Sequence, residues 1–389
     1  MFLQWKAGRC TPAFSGQFQR RVTPVTPPRW ADVAVIGGGL AGLVSALSLA
    51  DRGCRVTLVD DRRPGQASTA SGGLLAPSID PAPGDAGTVA RAALERYPAF
   101  LDALSERSGE RVALGRGLLH VADDEGDAER RRSTIAAGQL VDAHWLSRRE
   151  AAELEPAIDA PFGAVLHARD GWVSAPALLR ALWAAVAGER RIVTVRSTCV
   201  AVRLRPTLAA LRLADGTRTA ARDVVVAGGA WSPLLPGLPS VVPVRPLRGQ
   251  MVEVRPGVVR HAVYGGGGYL VPHGDGTLVG ATSDDAGFDA SITPDGASSM
   301  RRVLAALVPG HAALAVARQW AGIRPMTPDG QPVIGRDPRA RPVVYACGHS
   351  RNGVLLAAVT GDLVASLVCG GAPPVETSAF APERFVDAR

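Results

Sequence analysis

The chain has 389 residues, of which 47% are hydrophobic and 20% charged, as in a globular protein large enough for two or three domains. Its formal net charge of +7 is carried almost entirely by arginine, because Lys6 is the only lysine. This excludes a lysine Schiff base and a Walker phosphate loop from the rest of the chain. The arginines are scattered, so we interpret them as solvated charges that favour acidic substrates rather than as a nucleic-acid surface.

Cysteine and histidine are spaced too widely for a metal site or a disulfide framework. The five cysteines are odd in number and form no C-x-x-C pair, and the seven histidines lack metal-ligand spacing. We therefore expect a reducing, cytoplasmic location and no metal. The cysteines are Cys10, Cys54, Cys199, Cys347 and Cys369.

Residues 1–29 are predicted to be a disordered basic tail. The segment contains several arginines and prolines, no acid, and no continuous apolar core of the kind found in a secretory signal. Its composition resembles that of a transit peptide, and the sequence leaves open whether it belongs to the mature protein.

Residues 31–50 predict a buried strand (33–36), a glycine turn and an apolar helix ending near Arg52. Gly37, Gly39 and Gly42 have the G-x-G-x-x-G spacing, which brings a backbone turn and a helix N-terminus to a pyrophosphate. A second predicted strand follows and ends in Asp60, where a ribose hydroxyl is held in such sites. The alternative is a membrane-spanning helix over residues 33–50, which are uncharged, but such a helix needs neither the glycine spacing nor the acid.

The residues after Asp60 predict a cofactor-lining loop and then alternating helices and strands. Residues 67–76 are small or flexible and leave room for a flat group against the backbone. Ser147 and Glu150 predict a capping box, Ser174 a helix cap, and Asp275 with Gly276 a hairpin turn. Further helices are predicted over 90–108, 125–138, 175–187, 297–307 and 354–369, and strands over 112–122, 192–195, 201–205, 209–213, 224–227, 243–254, 268–282 and 342–347.

A strand, glycine turn and helix occur near both ends of the chain, with antiparallel strands between them. This pattern predicts an α/β (α+β) fold with a Rossmann-like domain interrupted by an inserted antiparallel-sheet substrate domain. The predicted cofactor domain comprises residues 30–80, 165–238 and 335–372. The predicted substrate domain comprises 81–164 and 239–334, and a C-terminal tail covers 373–389.

Nine motifs stand in the order found in one family, and together they cover about residues 31–370. On these residues the chain resembles the D-amino-acid-oxidase family of FAD-dependent oxidoreductases, and the motifs around Arg324 and Arg351 favour its glycine-oxidase branch. The motifs are 37–42, Asp60, 68–77, 226–232, 246–250, 280–283 with 287–289, 320–325, 329–335 and 348–361.

The resemblance implies non-covalent FAD. Members of the family that bind flavin covalently use a cysteine just after the position of Arg324, whereas Pro325, Met326 and Thr327 follow here. The helix predicted to begin near Gly353 would place N–H donors at the flavin ring, where negative charge develops on reduction. The implied cofactor contacts are Gly37, Gly39, Leu40, Ala41, Gly42, Asp60, Asp61, Ser68, Gly72, Gly73, Leu74, Val200, His349, Ser350, Arg351, Asn352, Gly353, Val354 and Leu355.

Three further side chains are implied in catalysis. Arg324 would bind the substrate carboxylate through two parallel hydrogen bonds, for which a structural salt bridge is the alternative. Arg351 would lie at the same site, or contact the cofactor alone. Tyr269 would close the pocket, or serve only as a core aromatic residue.

The activity implied by the resemblance is oxidative deamination of a small amino acid. Glycine would give glyoxylate, ammonia and hydrogen peroxide, with oxygen as the second substrate, in thiamine (thiazole) biosynthesis. The alternatives are a D-amino-acid or sarcosine oxidase, a dehydrogenase that reduces a quinone, a tRNA-modifying oxidoreductase and a non-catalytic FAD-binding protein. The sequence leaves open the preferred amine and whether the chain forms a homo-oligomer.

Overall fold

The computed structural model describes residues 28–79, 81–140, 142–240 and 242–385. Nearly all of the basic segment predicted to be disordered therefore lies outside the described residues. The predicted C-terminal tail begins at residue 373, but Phe380 within it is fully buried in the main core. That part of the chain is packed rather than free.

Seventeen strands form two sheets in the described part of the chain. In chain order they are β1 (Trp30–Ile36), β2 (Val56–Val59), β3 (Leu74–Leu75), β4 (Leu114–Val121), β5 (Ala143–Leu146), β6 (Ala164–Val173), β7 (Ile192–Val195), β8 (Cys199–Arg205), β9 (Leu208–Leu213), β10 (Arg218–Val226), β11 (Arg245–Arg255), β12 (Ala262–Gly265), β13 (Gly268–His273), β14 (Gly276–Gly280), β15 (Ala315–Met326), β16 (Val333–Asp337) and β17 (Ala340–Cys347).

Among the same described residues, eight α-helices accompany the strands, together with a few short 3-10 turns. In chain order the helices are α1 (Leu40–Asp51), α2 (Ala67–Ala70), α3 (Gly84–Ser108), α4 (Glu125–Ala136), α5 (Arg148–Leu154), α6 (Ala175–Gly188), α7 (Pro294–Leu307) and α8 (Ala357–Cys369).

The first sheet has a parallel centre. Its main path runs β16-β17-β10-β1-β2-β7, and β17, β10, β1, β2 and β7 pair in parallel. The paired segments of these strands are largely apolar, because helices α1, α6 and α8 cover one face of the sheet and α3 packs on α6 and α8. Apolar residues of β8 and β9 pack with those of β1, β10 and β17 in a second cluster. The α/β class and the Rossmann-like half of the prediction are confirmed.

The second sheet is largely antiparallel and has the path β15-β11-β14-β13-β12-β4-β6-β3. Helix α7 packs on one face through Met300, Val303 and Leu304. The other face carries Met251, Tyr269 and larger aromatic residues, and it faces the first sheet across a cavity. The predicted hairpin joins β13 and β14, but its two turn residues are Gly274 and Asp275, because Gly276 already pairs with His273.

The predicted helix caps are confirmed at two places. Ser147 accepts a hydrogen bond from the Glu150 N–H while the Glu150 carboxylate accepts one from the Ser147 N–H, which completes the capping box of α5. The Ser174 side chain accepts from the Ala177 N–H at the start of α6. Each cap satisfies backbone donors that a helix end otherwise leaves unpaired.

The division into domains at the predicted boundaries stays a prediction, and three segments differ from it or from the predicted elements. Helix α3, placed in the substrate domain, packs in the core of the first sheet. Strand β6 and the short β3, placed in the cofactor domain, belong to the second sheet. Helix α8 begins at Ala357, three residues later than predicted, because residues 353–356 form a turn.

The apolar segment 33–50 is divided between β1 and α1 rather than forming one long helix. Over the part of the chain that the structure describes, no helix combines the length and apolar character needed to cross a membrane.

Asp170 is a buried carboxyl in β6 that holds the segment after β3. Its two oxygens accept hydrogen bonds from the Ser78 N–H at 3.2 Å and from the Ser78 hydroxyl at 3.1 Å. Burial raises the pKa of Asp170 to about 7, because these two bonds only partly replace the water lost. Ionising Asp170 in the folded state is therefore costly.

The pH dependence of stability follows from this raised pKa. The wild-type free energy of unfolding should fall as the pH rises from about 4, the pKa of an unfolded aspartate, to about 7, by on the order of 4 kcal/mol at most. Asp170→Asn can keep both hydrogen bonds without a charge, so its stability should fall less over this window. Urea unfolding at pH 5 and pH 8 measures this, with the exposed Asp102→Asn as a control. Equal pH slopes for Asp170→Asn and wild type would show that Asp170 ionises without penalty.

Candidate functional site

A cavity of about 1010 Å³ lies where the parallel strands of the first sheet end. The last residues of β1, β2, β10 and β17 line one side, which are Ile36, Val59, Val226 and Cys347. The second sheet supplies the opposite wall. Ligands bind at the carboxyl edge of a parallel sheet because the loops and helix N-termini that follow the strands converge there.

The glycine turn after β1 places the N-terminus of α1 at this cavity. Gly37 has φ of +112°, which a residue with a side chain rarely adopts. A Cβ on Gly42 would lie 1.8 Å from the Gly37 carbonyl oxygen, so only glycine lets the helix pack so closely on the turn. Gly42 itself does not line the cavity, and its role is this close packing.

The first turn of α1 presents backbone donors to the cavity. Gly39 caps the helix without a side-chain hydrogen bond, and the N–H groups of Gly39 and Ala41 meet no acceptor among the described residues. The Leu40 N–H donates to the Ser68 hydroxyl at 3.0 Å. Unpaired donors and the positive end of the helix dipole together favour a phosphate group.

Asp60 lies at the end of β2, beside the glycine turn. One carboxylate oxygen accepts from the Gly38 N–H at 2.9 Å, and the other accepts from the Arg62 N–H at 3.2 Å. Burial raises the pKa of Asp60, and the Gly38 hydrogen bond opposes that effect. This is the position from which an acid binds the ribose hydroxyls of a dinucleotide.

The loop that follows is joined to strand β15 of the second sheet. The Ile323 N–H donates to the Gly65 carbonyl at 2.8 Å, and the Trp320 indole N–H donates to the Ala70 carbonyl at 3.2 Å. The small residues of this segment therefore form one wall of the cavity, with helix α2 against β15.

The turn between β17 and α8 supplies a second set of backbone donors. The sequence predicted a helix start near Gly353, but the N–H groups of Gly353 and Val354 lie in a turn and donate to no acceptor among the described residues. Tyr97, fully buried on α3, holds this turn by donating to the Val354 carbonyl at 2.8 Å. The donors are thus present without the predicted helical turn.

His349 precedes this turn and is neutral. The Thr360 hydroxyl donates to the Leu356 carbonyl at 2.8 Å, so it accepts from the His349 Nε2–H at 3.1 Å. Burial lowers the pKa of His349 to about 4. His349 therefore fixes the loop as an uncharged donor at neutral pH.

Arg324 on β15 brings a positive charge into the cavity, where the charge of Asp284 also acts on it, although Asp284 is paired with Arg248. No carboxylate forms an ion pair with Arg324 among the described residues, and the Ser283 hydroxyl lies 3.5 Å from its Nη1. A Cβ on Gly249 would lie 3.0 Å from Nη2, so the guanidinium lies over that glycine. Burial lowers the pKa of Arg324, which makes an anionic partner favourable there. The alternative of a structural salt bridge finds no partner in the described chain.

Tyr269 and Arg351 line the cavity near Arg324. The charges of Arg324 and Arg351 both act on the Tyr269 phenol, although burial dominates and raises its pKa. The Tyr269 ring lies against Gly72 and Gly280, where an added Cβ would come within 2.8 Å and 2.6 Å of it. Its hydroxyl lies 3.7 Å from the Met251 sulfur. Tyr269 therefore forms the part of the second sheet that faces the Gly72 loop.

Most of the predicted site residues line this one cavity, and three do not. Gly42 packs beneath the glycine turn after β1, and Leu355 is buried behind the turn that precedes α8. Val200 does not line the cavity, but Thr198 and Cys199 just before it do. The predicted residues that line the cavity are Gly37, Gly39, Leu40, Ala41, Asp60, Asp61, Ser68, Gly72, Gly73, Leu74, Tyr269, Arg324, His349, Ser350, Arg351, Asn352, Gly353 and Val354.

Several lining residues were missed. The Arg63 guanidinium lies 5.8 Å from the ring centre of Trp231, and both line the cavity beside Asp61. Tyr264, opposite Tyr269 in the register of β12 and β13, was missed as well. Trp231 lies within the motif 226–232, so the sequence could have identified it as a candidate site residue. Arg63 reaches the cavity only through the conformation of its loop, which the sequence spacing does not predict.

The described residues fit a flavin dinucleotide. The α1 donors suit the pyrophosphate, Asp60 suits a ribose, and the Gly353 and Val354 donors suit a flat ring that gains negative charge. These groups lie along one continuous cavity whose volume accommodates a large cofactor and a small substrate.

Comparisons with known proteins agree with this geometry. A family model described as "FAD dependent oxidoreductase" (DAO) matches residues 32–367. The glycine oxidase of Geobacillus kaustophilus is 35% identical over 349 residues, which cover 87% of this chain and 92% of the relative. The bifunctional protein ThiO/ThiG of Synechocystis is 30% identical over 92% of this chain and 54% of its own length.

The fold comparison gives the same result. The crystal structure of the Geobacillus kaustophilus glycine oxidase has a TM-score of 0.84 and 32% sequence identity, and the match covers 92% of this chain and all of that one.

Replacement of Asp60 tests the assignment of the dinucleotide half-site. Asp60→Asn keeps an acceptor for the Gly38 N–H but loses the charge and one acceptor oxygen, so the Kd for FAD should rise on the order of 10-fold or more. Flavin fluorescence on titration of the apoprotein measures the Kd. Asp32→Asn, which alters an acid of β1 outside the cavity, should bind FAD like wild type. An unchanged Kd for Asp60→Asn would contradict the assignment.

Proposed function

The chain belongs to the DAO family of FAD-dependent oxidoreductases, and from that membership we propose that it oxidises a small amino acid, with glycine as the first candidate. Glycine, oxygen and water would give glyoxylate, ammonia and hydrogen peroxide. The observation that carries the proposal is Arg324, a half-buried guanidinium in the cofactor cavity without a carboxylate partner in the described chain. A substrate carboxylate supplies the missing anion.

Bound FAD would supply the two-electron acceptor for the hydride lost from the carbon beside the amine. The residues of this chain would bind the cofactor and orient the substrate. The N–H groups of the first α1 turn and Asp60 would hold the cofactor's phosphate and ribose, non-covalently, and the Gly353 and Val354 N–H groups would face its ring.

Arg324 would fix the substrate by its carboxylate. A planar guanidinium forms two parallel hydrogen bonds to a carboxylate, so it sets both the position and the orientation of the α-carbon. Tyr269 would form the adjoining wall and limit the room for a side chain on that carbon. A residue at position 249 larger than glycine would displace the Arg324 head group.

The cavity wall also favours the reactive protonation state of the substrate. Met251 and Tyr269 form a buried apolar surface, and Arg324 places a positive charge nearby. Burial and a like charge both lower the pKa of an ammonium group. The proton would therefore leave the substrate nitrogen more readily in the cavity than in water, and the neutral amine is the form that can lose a hydride.

We further propose that this oxidation serves thiamine (thiazole) biosynthesis in the cytoplasm, and the similarity to ThiO/ThiG supports that placement. A strain that lacks the gene should require thiamine or its thiazole for growth. Growth without thiamine or its thiazole would contradict the role in thiamine biosynthesis, but it would not bear on the proposed oxidase activity.

The function is tested by adding a panel of small amines to the purified holoprotein without oxygen. Glycine should bleach the flavin absorbance, sarcosine and D-alanine less readily, and air should restore the colour with one hydrogen peroxide per cycle. Slow recovery in air but fast recovery with a quinone would identify a dehydrogenase. If no amine bleaches the flavin, the proposal is wrong, and salt-sensitive tRNA binding would then support the tRNA-modifying alternative.

Replacement of Arg324 tests the carboxylate clamp. Arg324→Ala should leave FAD bound but lower kcat/KM for glycine on the order of 30-fold or more, because loss of one partner of a charged pair costs about 2 to 5 kcal/mol. Arg324→Lys should restore only part of the activity, since lysine keeps the charge without the two parallel donors. Steady-state kinetics and the flavin spectrum measure both effects.

Two controls accompany the Arg324 variants. Arg301→Ala removes an exposed arginine of α7 that does not line the cavity, and its kinetics should match wild type. An amine without a carboxylate should be oxidised about equally by wild type and Arg324→Ala. Wild-type efficiency of both Arg324 variants with glycine would remove the basis of the amino-acid assignment.

A further inference from the structure

Two cysteines that are 315 residues apart in the sequence meet at the end of the α1–α8 helix pair that is remote from the cavity. Their Sγ atoms are 3.4 Å apart. Cys54 follows α1 and is buried, whereas Cys369 ends α8 and is exposed. The wide sequence spacing gave no sign of this pair.

The helix packing holds the two thiols together. A Cβ on Gly361 would lie 2.5 Å from the Val44 carbonyl oxygen, so α8 approaches α1 at backbone distance. One turn further on, the Ser48 hydroxyl donates to the Asp362 carboxylate at 3.1 Å. The thiols therefore sit at the end of a fixed interface rather than on mobile loops.

We propose that Cys54 and Cys369 form a reversible disulfide site whose oxidant is hydrogen peroxide. The bonded S–S distance is about 2.05 Å, so the sulfur atoms need to approach by only about 1.4 Å. The exposed thiol meets the oxidant, and the buried thiol beside it closes the bond.

The chemistry balances in two steps. The Cys369 sulfur attacks peroxide, the O–O bond breaks, and a sulfenic acid and one water form. The Cys54 sulfur then attacks the sulfenic sulfur, the S–S bond forms, and the hydroxyl leaves with the thiol proton as a second water. Two thiols are oxidised and one peroxide is reduced.

The positions of the two cysteines set their order of reaction. Burial, reinforced by the neighbouring Cys369, raises the pKa of Cys54 to about 12, so Cys54 stays a protected thiol until a sulfenic acid forms next to it. A resolving thiol at this distance also shields Cys369 from further, irreversible oxidation.

The bond would join the two helices whose opposite ends border the cofactor cavity. It would close a loop of most of the chain, which restricts the unfolded state strongly. Oxidation should therefore raise the resistance of the α1–α8 pair to unfolding while leaving the cavity residues in place.

The test treats the reduced holoprotein with hydrogen peroxide. Wild type should lose about 2 Da, two of its five thiols should become unreactive, and a Cys54–Cys369 peptide should appear in a non-reducing digest. The apparent Tm should rise by about 5 °C or more and return to its starting value with dithiothreitol.

Matched variants separate this pair from other oxidation. Cys54→Ser leaves Cys369 without a resolving thiol, so dimedone should trap a sulfenic acid there and the mass loss should disappear. Cys369→Ser should show neither the sulfenic acid nor the mass loss. Cys10→Ser, which removes a cysteine outside the described residues, should oxidise like wild type. Cys54→Ala replaces Cys54→Ser if the serine variant does not fold.

Three results would overturn the proposal. They are sulfenic or sulfinic acid at Cys369 of wild type without a link to Cys54, a disulfide from Cys369 to Cys10 or to another chain, and five intact thiols under conditions that oxidise Cys54→Ser.

Added peroxide tests the site independently of the proposed function. Only the claim that the enzyme's own turnover supplies the hydrogen peroxide rests on the proposed oxidase function. Glycine in air should then form the same bond, and catalase should prevent it. A link formed by added peroxide but not by turnover would preserve the disulfide site and count against peroxide production.

Discussion

The site depends on backbone N–H groups that line one cavity and have no hydrogen-bond acceptor among the described residues. The first turn of α1 and the turn before α8 each leave such donors at the carboxyl edge of the parallel sheet. These donors lie at the cavity surface, where water or a ligand can pair with them, so the fold need not satisfy them internally. The close packing at Gly37 and Gly42 positions the donors of the first α1 turn. Tyr97 on α3 holds the turn before α8 through its bond to the Val354 carbonyl.

The parts of this arrangement that follow from local physics could be predicted from the sequence. The glycine spacing, the apolar strand before it and Asp60 after it define a half-site within thirty residues, and the structure has all three in place. The caps at Ser147 and Ser174 are equally local. Arg324 and Tyr269 were different, because only resemblance to a family pointed to them, and spacing alone does not bring residues 269 and 324 to one cavity.

The errors came from packing choices that the sequence pattern leaves open. Helix α3 is amphipathic, but its apolar stripe does not say which elements it packs on, and it packs on helices α6 and α8 beside the first sheet. Strand β6 could pair with either sheet, and it joins the second. The turn at 353–356 begins with Gly353 and Val354, which are weak helix formers, and Tyr97 bonds to the Val354 carbonyl, so the helix starts later than its apolar pattern predicts. Cys54 and Cys369 show the same limit, since sequence separation says little about distance in space.

Strand β15 has a consequence for the energetics of binding. Arg324 stands between two residues whose backbones are bonded to the two cofactor loops, Ile323 to Gly65 at 2.8 Å and Pro325 to Ser350 at 3.0 Å. Movement of either loop therefore displaces the backbone that carries the guanidinium. Where two ligands share such a support, each changes the affinity of the other by the same factor. We expect both ligands to favour the same loop positions, so the amino acid should tighten FAD binding, and the apoprotein should bind carboxylates more weakly than the holoprotein even with Arg324 intact.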